Sequence, residues 1–411
     1  MKAMILERFG GTERFAVATV PAPVPKRGEV LVTIKAAGVN PIDVKTRRGG
    51  GIADSLRRQR PMILGWDLSG VVSKTGEGVE EFRIGDPVFG TVNFPGPGCA
   101  YAEFAAVPAE HLALKPLNVS HEEAAAAAQS PLTAWQALVE TGRIGSGARV
   151  LIHGGAGGVG HHAVQIAKTL GCYVISTAAG RDAGFVRNLG ADEVIDFNTE
   201  RFEERAKEID FVLDTVGGEN FVRSLHVLRP DGMIVLLPSD RKAEADEAAV
   251  AYGVGNYRHI LMHSSGEGMR RIADLLAGGR LRVHVDSVFP FGEIARAHER
   301  LEGGGVFLFG VLLLGAEIAA FQQLFPDGVD LLDVPGLLQG QLDALHILQL
   351  LLPLDDLLLQ GLLGVVLLGN GEDRVHPHDD QDDDPVQPVL SPAGPQGQDR
   401  RRQQHQNHGV L

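Results

Sequence analysis

Residues 150–160, VLIHGGAGGVG, limit the possible fold more than any other stretch, because a short apolar run there breaks into glycines and resumes as the helix-like HHAVQIAKTLG. Gly155, Gly157 and Gly160 satisfy the pattern G-x-G-x-x-G between a predicted strand and a predicted helix. In such a loop the first glycine permits a tight turn, the second lets the backbone approach a pyrophosphate, and the third lets helix and strand pack closely. The N–H groups and dipole of the following helix favour an anion there. The sequence therefore predicts a dinucleotide site.

Strands and helices alternate from Ala148 onward. The predicted strands include ARVLIH, CYVISTA, DEVIDF, IDFVLDTVG and GMIVLLP, with HILMHS as a last strand. Alternation of this kind predicts a parallel sheet covered by helices on both faces. Farther on, GMRRIADLLAGG and FGEIARAHERLEGG are predicted helices on either side of the strand RVHVDSVFP, and we expect this segment to return to the first domain.

Residues 1–115 have a different pattern, with short alternating strands separated by Gly and Pro, as in EVLVTIKAAGV. This pattern predicts an all-β, barrel-like unit. The pattern changes at Ser120, a predicted N-cap, where Glu122 and Glu123 suit the first turn of an alanine-rich helix that leads into the second domain.

Charge and cysteine content narrow the function classes. The formal net charge of −14 is uneven, since residues 306–411 carry −11 and residues 1–305 only −3. The body therefore lacks the basic stripe that nucleic-acid binding needs. Cys99 and Cys172 are the only cysteines, so neither a disulfide framework nor a cysteine-rich zinc site is supported. With no apolar run of 18 residues or more, we expect a cytoplasmic protein without a membrane segment.

The last hundred residues differ in composition from the rest. Residues 306–411 contain no Lys, Met, Tyr, Trp, Thr or Cys, while 25 of the 106 are Leu. Two interpretations stay open for 311–411: a Leu-rich extension with a disordered acidic and Gln-rich end, or a shifted reading frame near Gly305, which we favour. The segment VFLFGVLLLG can still pair as a strand, since apolar and β-branched residues suit a buried position.

Several motifs resemble one family in a fixed order. They are AAGVNPIDVKTRRGG, ILGWDLSGVV, SPLTAWQALVETG, VLIHGGAGGVGHHAVQIAKTLG, LGADEVIDF and FGEIARAHERLEGG. Residues 1 to about 305 resemble the medium-chain dehydrogenase/reductases, and among them the zinc-independent, zeta-crystallin-like quinone oxidoreductases. The resemblance implies an α/β chain with a GroES-like β-barrel catalytic domain (1–125 and 262–310), an inserted Rossmann domain with a doubly wound parallel sheet (126–261) and an atypical tail (311–411).

The resemblance also allows the zinc question to be asked residue by residue. In the zinc alcohol dehydrogenases of this fold, ligands come from the segments that match GVNPID, LGWDLSG and the residue just before PLTAW. Those places hold Asn40, Trp66 and approximately Gln129, none of which is a thiolate or imidazole. We therefore expect no metal, and we interpret His111 and His153 as structural.

Three residues near the nicotinamide end of the cleft are implied as catalytic by the resemblance: Asn40, Asp43 and Lys45. Amide and ammonium donors can stabilise a developing oxyanion, and we assign Lys45 this electrostatic role, with a solvated basic loop through Arg47 and Arg48 as the alternative. Asp43, like Asp67, is expected to orient neighbours or cap a turn. Thr133 is expected beside the nicotinamide.

The cofactor is predicted to be NADP. The predicted cofactor contacts are Thr133, Gly155, Ala156, Gly157, Gly158, Val159, Gly160, Ser176, Thr177 and Arg181. The second strand of the unit carries no carboxylate at its tip, where NAD-binding folds hold the ribose, and Arg181 stands where a phosphate can use it. Asp182 is a competing candidate for the carboxylate role. His161 and His162 either assist the pyrophosphate or are exposed.

The predicted function is NADPH-dependent reduction of a quinone or an α,β-unsaturated carbonyl without zinc, by a homodimer that binds neither nucleic acid nor membrane. Two alternatives stay open: a medium-chain reductase for enoyl thioesters or aldehydes, and an NADPH-binding structural or sensor protein with little turnover. The sequence defines neither the acceptor nor the proton donor.

Overall fold

The computed structural model describes residues 1–303 and 310–313, and the predicted tail beyond Leu313 lies outside the described residues. The strands of this part are β1 (Lys2–Leu6), β2 (Phe15–Thr19), β3 (Glu29–Val39), β4 (Asp67–Thr75), β5 (Pro87–Thr91), β6 (Phe104–Pro108), β7 (Leu112–Leu114), β8 (Arg149–Ile152), β9 (Tyr173–Ala178), β10 (Glu193–Asp196), β11 (Ile209–Asp214), β12 (Leu228–Leu236), β13 (Tyr257–His259), β14 (Ser287–Pro290) and β15 (Gly310–Leu313). The helices are α1 (Pro41–Arg47), α2 (Ala53–Leu56), α3 (His121–Ala126), α4 (Gln129–Trp135), α5 (Gly158–Thr169), α6 (Ala183–Asn188), α7 (Phe202–Arg205), α8 (Glu219–Leu225), α9 (Lys242–Ala251), α10 (Gly266–Ala277) and α11 (Ile294–Glu302).

The N-terminal part is built on a seven-stranded sheet in the order β14-β15-β3-β4-β5-β7, with β6 also paired to β3. β3 is the long central strand and pairs antiparallel with β4, β6 and β15. Its alternating residues Val30, Val32 and Ile34 are buried in the core. The structure confirms a unit built mainly of β-strands, but the prediction that it is all-β is wrong, because the helices α1 and α2 lie between β3 and β4.

The second sheet has six strands, all parallel, in the order β10-β9-β8-β11-β12-β13. The chain runs outward from β8 in one direction and then returns to extend the sheet from β11 in the other. Ligands of such sheets bind at this reversal, outside the carboxyl ends of the strands. The glycine-rich loop directly follows β8 and therefore lies at that point.

The last strand of this sheet is shifted from its predicted position. HILMHS was predicted as the strand, but only His259 of that segment belongs to β13, which pairs Tyr257–His259 with β12. The following residues Ile260, Leu261 and Met262 leave the sheet and line a cavity instead.

The helical connection between the sheets begins as predicted. Ser120 Oγ accepts a hydrogen bond from Glu123 N at 3.1 Å, and the Glu123 carboxylate accepts one from Ser120 N at 2.9 Å. The predicted continuous helix is nevertheless divided into α3, α4 and a π-helical turn, Gln136–Thr141. Pro131 explains the break before α4, because proline lacks an N–H and is tolerated only in the first turn of a helix.

The return segment is attached both to helices beside the parallel sheet and to the seven-stranded sheet. Gln136 exchanges two hydrogen bonds with the backbone of His263, and Gln165 exchanges two with the backbone of Arg282. β15 pairs with β14 and β3, which confirms the strand predicted within VFLFGVLLLG. This strand ends at Leu313 and so runs past residue 310, the predicted end of the return segment. In the described part of the chain, no helix is long and apolar enough to cross a membrane.

Candidate active site

The glycine-rich loop after β8 makes its tight turn one residue earlier than predicted. Gly154 has the positive φ of +69°, whereas Gly155 does not, so the predicted turn role of Gly155 is corrected. A Cβ on Gly155 would instead meet Ser176 Oγ at 2.0 Å. A Cβ on Gly160 would lie 2.0 Å from the carbonyl oxygen of Gly154, which confirms that the third glycine permits close packing of helix and loop.

The loop leaves room for an anionic ligand at the start of α5. Gly157 is the extended N-cap of this 12-residue helix, and the first N–H groups of a helix have no intrahelical acceptor. Gly157, Gly158, Val159 and Gly160 all face a cavity. The absence of side chains on Gly157 and Gly158, together with the dipole of α5, fits the pyrophosphate of a dinucleotide.

This cavity, which we call the cleft cavity, has a volume of about 370 Å³ and lies between the two large sheets. It is lined by α1 and its N-cap, the first turns of α4 and α5, and the loops that follow β8, β11, β12 and β13. Its lining residues are Asn40, Pro41, Ile42, Lys45, Phe94, Gln129, Ser130, Thr133, Gly154, Gly157, Gly158, Val159, Gly160, Thr215, Leu237, Pro238, Ile260, Leu261, Met262 and Leu301.

Asn40 is held in the cleft by a buried carboxylate. Its side-chain Nδ2 donates to Asp67 Oδ2 at 2.8 Å, and the same oxygen accepts from the backbone N of Gln129 at 3.0 Å. Thr91 Oγ1 donates to the other oxygen of Asp67 at 2.7 Å. Asp67, which is 1% exposed, thus ties three separate segments together and fixes the amide of Asn40. This confirms the predicted orienting role of Asp67.

Asp43 acts on the backbone of the same residue. Its Oδ2 accepts a hydrogen bond from Asn40 N at 2.8 Å at the start of α1, which confirms the predicted capping role. The side chain is fully buried and is not among the described residues that line the cleft cavity. Asp43 therefore positions Asn40 rather than facing a ligand.

The two carboxyl groups ionise differently. Burial raises the pKa of Asp67 to about 6, although its three hydrogen-bond donors favour the charged form. Burial raises the pKa of Asp43 to about 8; the Asn40 backbone N–H opposes this rise, and the nearby charge of Asp67 adds to it. Burial thus raises the pKa of both carboxyl groups, and three hydrogen-bond donors favour the charged form of Asp67.

Lys45 lines the same cavity in a more exposed setting. Its Nζ lies 2.8 Å from Asp240 Oδ1, and the two side chains are 44% and 61% exposed. The alternative of a solvated basic loop is wrong for Arg47, which is 1% exposed, belongs to α1 and pairs with Glu302. Arg48 is exposed and pairs with the same carboxylate at 2.8 Å.

Thr133 faces the cavity from α4, as expected. Its Oγ1 donates to the carbonyl oxygen of Gln129 at 2.7 Å, one turn earlier in the helix. The hydroxyl proton is thus used within the helix, and the lone pairs of the oxygen remain for a ligand N–H or O–H group.

His161 and His162 are neither exposed nor in contact with the cleft cavity. Both are fully buried, with ring centroids 3.7 Å apart, and each Nδ1 lies within hydrogen-bond distance of a loop carbonyl oxygen, that of Gly157 or Gly158. Both predicted alternatives, exposure and direct contact with the pyrophosphate, are therefore corrected. Burial lowers the pKa of His161 to about 4 and holds that of His162 well below its usual value, so both are neutral supports of the loop.

Four predicted cofactor contacts are not among the described residues that line the cleft cavity: Gly155 and Ala156 in the glycine-rich loop, and Ser176 and Thr177 in the adjacent strand β9. Ser176 Oγ donates to the carbonyl oxygen of Ile152 at 2.9 Å, and Thr177 Oγ1 accepts from Gly154 N at 3.2 Å. His153 lies 3.2 Å from Thr177 Oγ1 and 2.9 Å from Ser224 Oγ, which confirms its structural role.

Arg181 lies apart from the cleft, in a second cavity at the carboxyl ends of β9 and β10. This strand-end cavity, of about 410 Å³, is lined by Ala179, Gly180, Arg181, Asp196, Phe197 and Asn198. The guanidinium of Arg181 is 71% exposed and 3.6 Å from the carboxylate of Asp182, which is not among the lining residues.

The carboxylate in the strand-end cavity is that of Asp196, which sequence analysis missed. Asp196 Oδ1 accepts from Asn198 N at 3.0 Å, and this backbone hydrogen bond holds the pKa of Asp196 below its usual value. The rule that ligands bind outside the carboxyl ends of parallel strands would have found Asp196 at the end of β10 and Asp240 after β12.

The three places considered for zinc hold other structures. The Trp66 ring is buried, packs edge-on against Phe94 at 5.8 Å and donates Nε1–H to Gly96 O at 2.6 Å. Asn40 and Gln129 both bond to Asp67. Among the described residues, no group of three His, Cys, Asp or Glu side chains is placed to hold a metal ion.

Two family descriptions match the chain. Residues 26–117 match the alcohol dehydrogenase GroES-like domain, and residues 189–307 match the zinc-binding dehydrogenase description. The second match begins beyond Asn40, Trp66 and Gln129, the three places where zinc ligands were considered.

Known proteins resemble this chain over most of their length. An NAD(P)H oxidoreductase of Mus musculus, described as mitochondrial, is 33% identical over 74% of this chain and 87% of its own. A chloroplastic NADPH-dependent alkenal/one oxidoreductase of Arabidopsis thaliana is 31% identical over 74% of this chain and 76% of its own. The structure of a quinone oxidoreductase from Coxiella burnetii superposes with a TM-score of 0.72 at 34% identity, covering 77% of this chain and 99% of its own.

Proposed function

The chain belongs to the medium-chain dehydrogenase/reductases, in their quinone oxidoreductase group, and on this basis we propose that it uses NADPH to reduce a quinone or an α,β-unsaturated carbonyl. The observation that carries the proposal is the position of Asn40, whose oriented amide faces the same cavity as the start of α5. When bound, the nicotinamide cofactor supplies the hydride.

Asn40 is the proposed donor to the acceptor oxygen. Its amide is fixed by Asp67 before any ligand arrives, so it pays little reorganisation when negative charge develops on that oxygen. Lys45 is the second proposed donor, although Asp240 already shares its charge. The proton is proposed to come from solvent, since Asp43 and Asp67 are buried and are not among the described residues that line the cavity.

The reaction is proposed to need no zinc. Asp67 supports this proposal because its carboxylate oxygens already accept hydrogen bonds from Asn40 Nδ2, Gln129 N and Thr91 Oγ1. Metal analysis of protein treated with chelator tests it: activity is expected to persist without metal, and stoichiometric zinc that restores a lost activity would contradict the proposal.

Preference for NADPH over NADH is proposed from Arg181, an exposed cation that lines the strand-end cavity. A charge-assisted contact between arginine and phosphate contributes about 1.5–3 kcal/mol, so Arg181→Ala is expected to weaken NADPH binding roughly ten- to a hundredfold and NADH binding little. Titrating both cofactors measures this, with Arg187→Ala on the neighbouring α6 as a control for loss of positive charge. Equal affinities of the unmodified protein for both cofactors would refute the preference.

The activity itself is tested by following NADPH absorbance against quinones, enones and enals. Sustained oxidation with quinones or enones is expected. Turnover only with enoyl thioesters or aldehydes would favour the other reductase, and tight NADPH binding without turnover would favour a sensor. The homodimer stays a prediction that sedimentation analysis of the whole protein can test.

A further inference from the structure

The cleft cavity contains very little charge. Of the described residues that line it, Lys45 alone is charged, and its ammonium is paired with Asp240 at 2.8 Å. Much of the remaining lining is apolar, with Phe94, Met262 and Leu301 among its large side chains. An acceptor in this cavity therefore meets one cation whose charge is already balanced.

This ion pair joins the two sides of the cleft. Lys45 lies on α1, which follows the central strand β3 of the seven-stranded sheet, whereas Asp240 lies in the 3₁₀ turn Ser239–Arg241 that follows β12 of the parallel sheet. Both side chains are about half-exposed, so the pair lies at the solvent edge of the cavity. Arg241 adjoins Asp240 and has its own partner, Glu244, at 3.3 Å. The charge that an entering acceptor encounters therefore depends on the carboxylate of Asp240.

We propose that Asp240 is a specificity-determining residue, which makes the cleft select uncharged acceptors over anionic ones by balancing the charge of Lys45. The inference rests on the proposed function and narrows its substrate class to neutral quinones and enones. Without the carboxylate, the ammonium at the edge of the cavity attracts anionic acceptors and holds them on arrival. Acyl thioesters of phosphate-bearing carriers are consequently disfavoured substrates of the native protein.

Two quinones and one substitution test this proposal. The ratio of kcat/KM for 2-methyl-1,4-naphthoquinone to that for 1,4-naphthoquinone-2-sulfonate is measured with NADPH for the native protein and for Asp240→Asn. The substitution is expected to lower the ratio about three- to tenfold, mainly through a smaller KM for the sulfonate. The two quinones differ in intrinsic reactivity, but this difference is the same for both proteins. It therefore cancels when the kcat/KM ratio of Asp240→Asn is compared with that of the native protein.

The dependence of the kcat/KM ratio on ionic strength distinguishes an electrostatic effect of Asp240 from a structural one. The Debye length falls from about 10 Å at 0.1 M to about 3 Å at 1 M ionic strength, so the difference between Asp240→Asn and the native protein is expected to shrink at the higher salt. Asp240→Ser, a smaller substitution at this exposed position, is expected to give the same shift and guards against an effect peculiar to Asn.

Asp246→Asn is the matched control. It removes the same charge from a second Lys–Asp pair, that of Lys242 and Asp246 on α9, whose side chains are 49% and 45% exposed. Lys45, the partner of Asp240, lines the cleft cavity, whereas Lys242, the partner of Asp246, is not among the described residues that line it, so Asp246→Asn is expected to leave the ratio unchanged.

The outcomes separate this inference from the function on which it rests. If the native protein reduces neither quinone, the proposed function and the inference both fail. If it reduces the neutral quinone but Asp240→Asn and Asp240→Ser leave the ratio unchanged, only the inference fails. An equal shift in Asp246→Asn would overturn it too, by showing that net charge and not the pair with Lys45 controls selection.

Discussion

The two ends of α1 present polar side chains to the same cavity in opposite settings. Asn40, at the N-cap, is 3% exposed, and its amide is held at 2.8 Å by the carboxylate of Asp67. Lys45, on the next turn, has a side chain that is 44% exposed and forms an ion pair with Asp240 across the cleft. From the sequence both residues are possible donors to a developing oxyanion, and sequence analysis assigned that role to Lys45.

The contrast teaches that orientation and burial weigh more here than formal charge. A buried dipole that is already oriented acts without screening and without reorganisation, whereas an exposed ammonium is screened by water and partly balanced by its counter-ion. Asn40 is therefore expected to contribute more to turnover than Lys45, although only Lys45 carries a full charge.

Asn40→Ala carries the largest expected effect. Removing one preorganised donor to an oxyanion lowers kcat about a hundred- to a thousandfold in comparable sites, and the affinity for NADPH is expected to change little. Steady-state kinetics with a neutral quinone, together with fluorescence titration of NADPH, measures the two quantities.

Ile42→Val on the same helix is the control, because it alters the cavity lining without removing a polar group and is expected to keep most of the activity. A kcat close to that of the native protein in Asn40→Ala would break the comparison and move the role of donor to Lys45 or to a backbone amide.

Asp67→Asn carries an intermediate effect, about tenfold on kcat at pH 8, because the substitution keeps the size of the side chain but weakens its hold on Asn40. In the native protein kcat is expected to rise as the pH rises through about 6, where Asp67 becomes ionised and accepts all three hydrogen bonds. The pH profile of Asp67→Asn is expected to lack this limb.

Other titratable groups near Asp67 change at different pH. Asp43 faces it from α1 with a pKa of about 8, and the pKa of Tyr101 lies well above its usual value because of burial. The neighbours from β5 and α4, Thr91 and Gln129, are uncharged. A limb near pH 6 that persists in Asp67→Asn would contradict the assignment of this ionisation to Asp67.

Sequence analysis predicted correctly those parts of the site that follow from short-range sequence patterns. The glycine-rich loop, the strand alternation on both sides of it and the capping pair of Ser120 and Glu123 depend on contacts within a few residues or on periodicity. Family motifs brought Asn40 and Lys45 to the same cavity as this loop. For these elements the local pattern was sufficient.

The errors arise where the environment comes from distant parts of the chain. His161 and His162 look like polar residues of a helix start, yet packing buries both rings against each other. Asp240 is 195 positions from Lys45 in the sequence, and no local pattern indicates that Lys45 Nζ and Asp240 Oδ1 lie 2.8 Å apart. Asp196 is a different case, because its place at the carboxyl end of a predicted strand was a sequence signal that sequence analysis did not use.

Lys45→Ala carries the smallest expected effect and sharpens the comparison most directly. An exposed ion pair contributes about 0.2–1 kcal/mol, so kcat with a neutral quinone is expected to fall no more than about fivefold, with NADPH affinity nearly kept. The double substitution Lys45→Ala with Asp240→Ala is expected to show a coupling free energy of at most about 1 kcal/mol in kcat/KM.

The measurement pairs Lys45→Ala with Asn40→Ala in the same assay, so that substrate and cofactor are identical. A loss in Lys45→Ala as large as that in Asn40→Ala would mean that the ammonium leaves Asp240 and reaches the acceptor oxygen during turnover. In that event charge, not burial, distinguishes the two ends of α1.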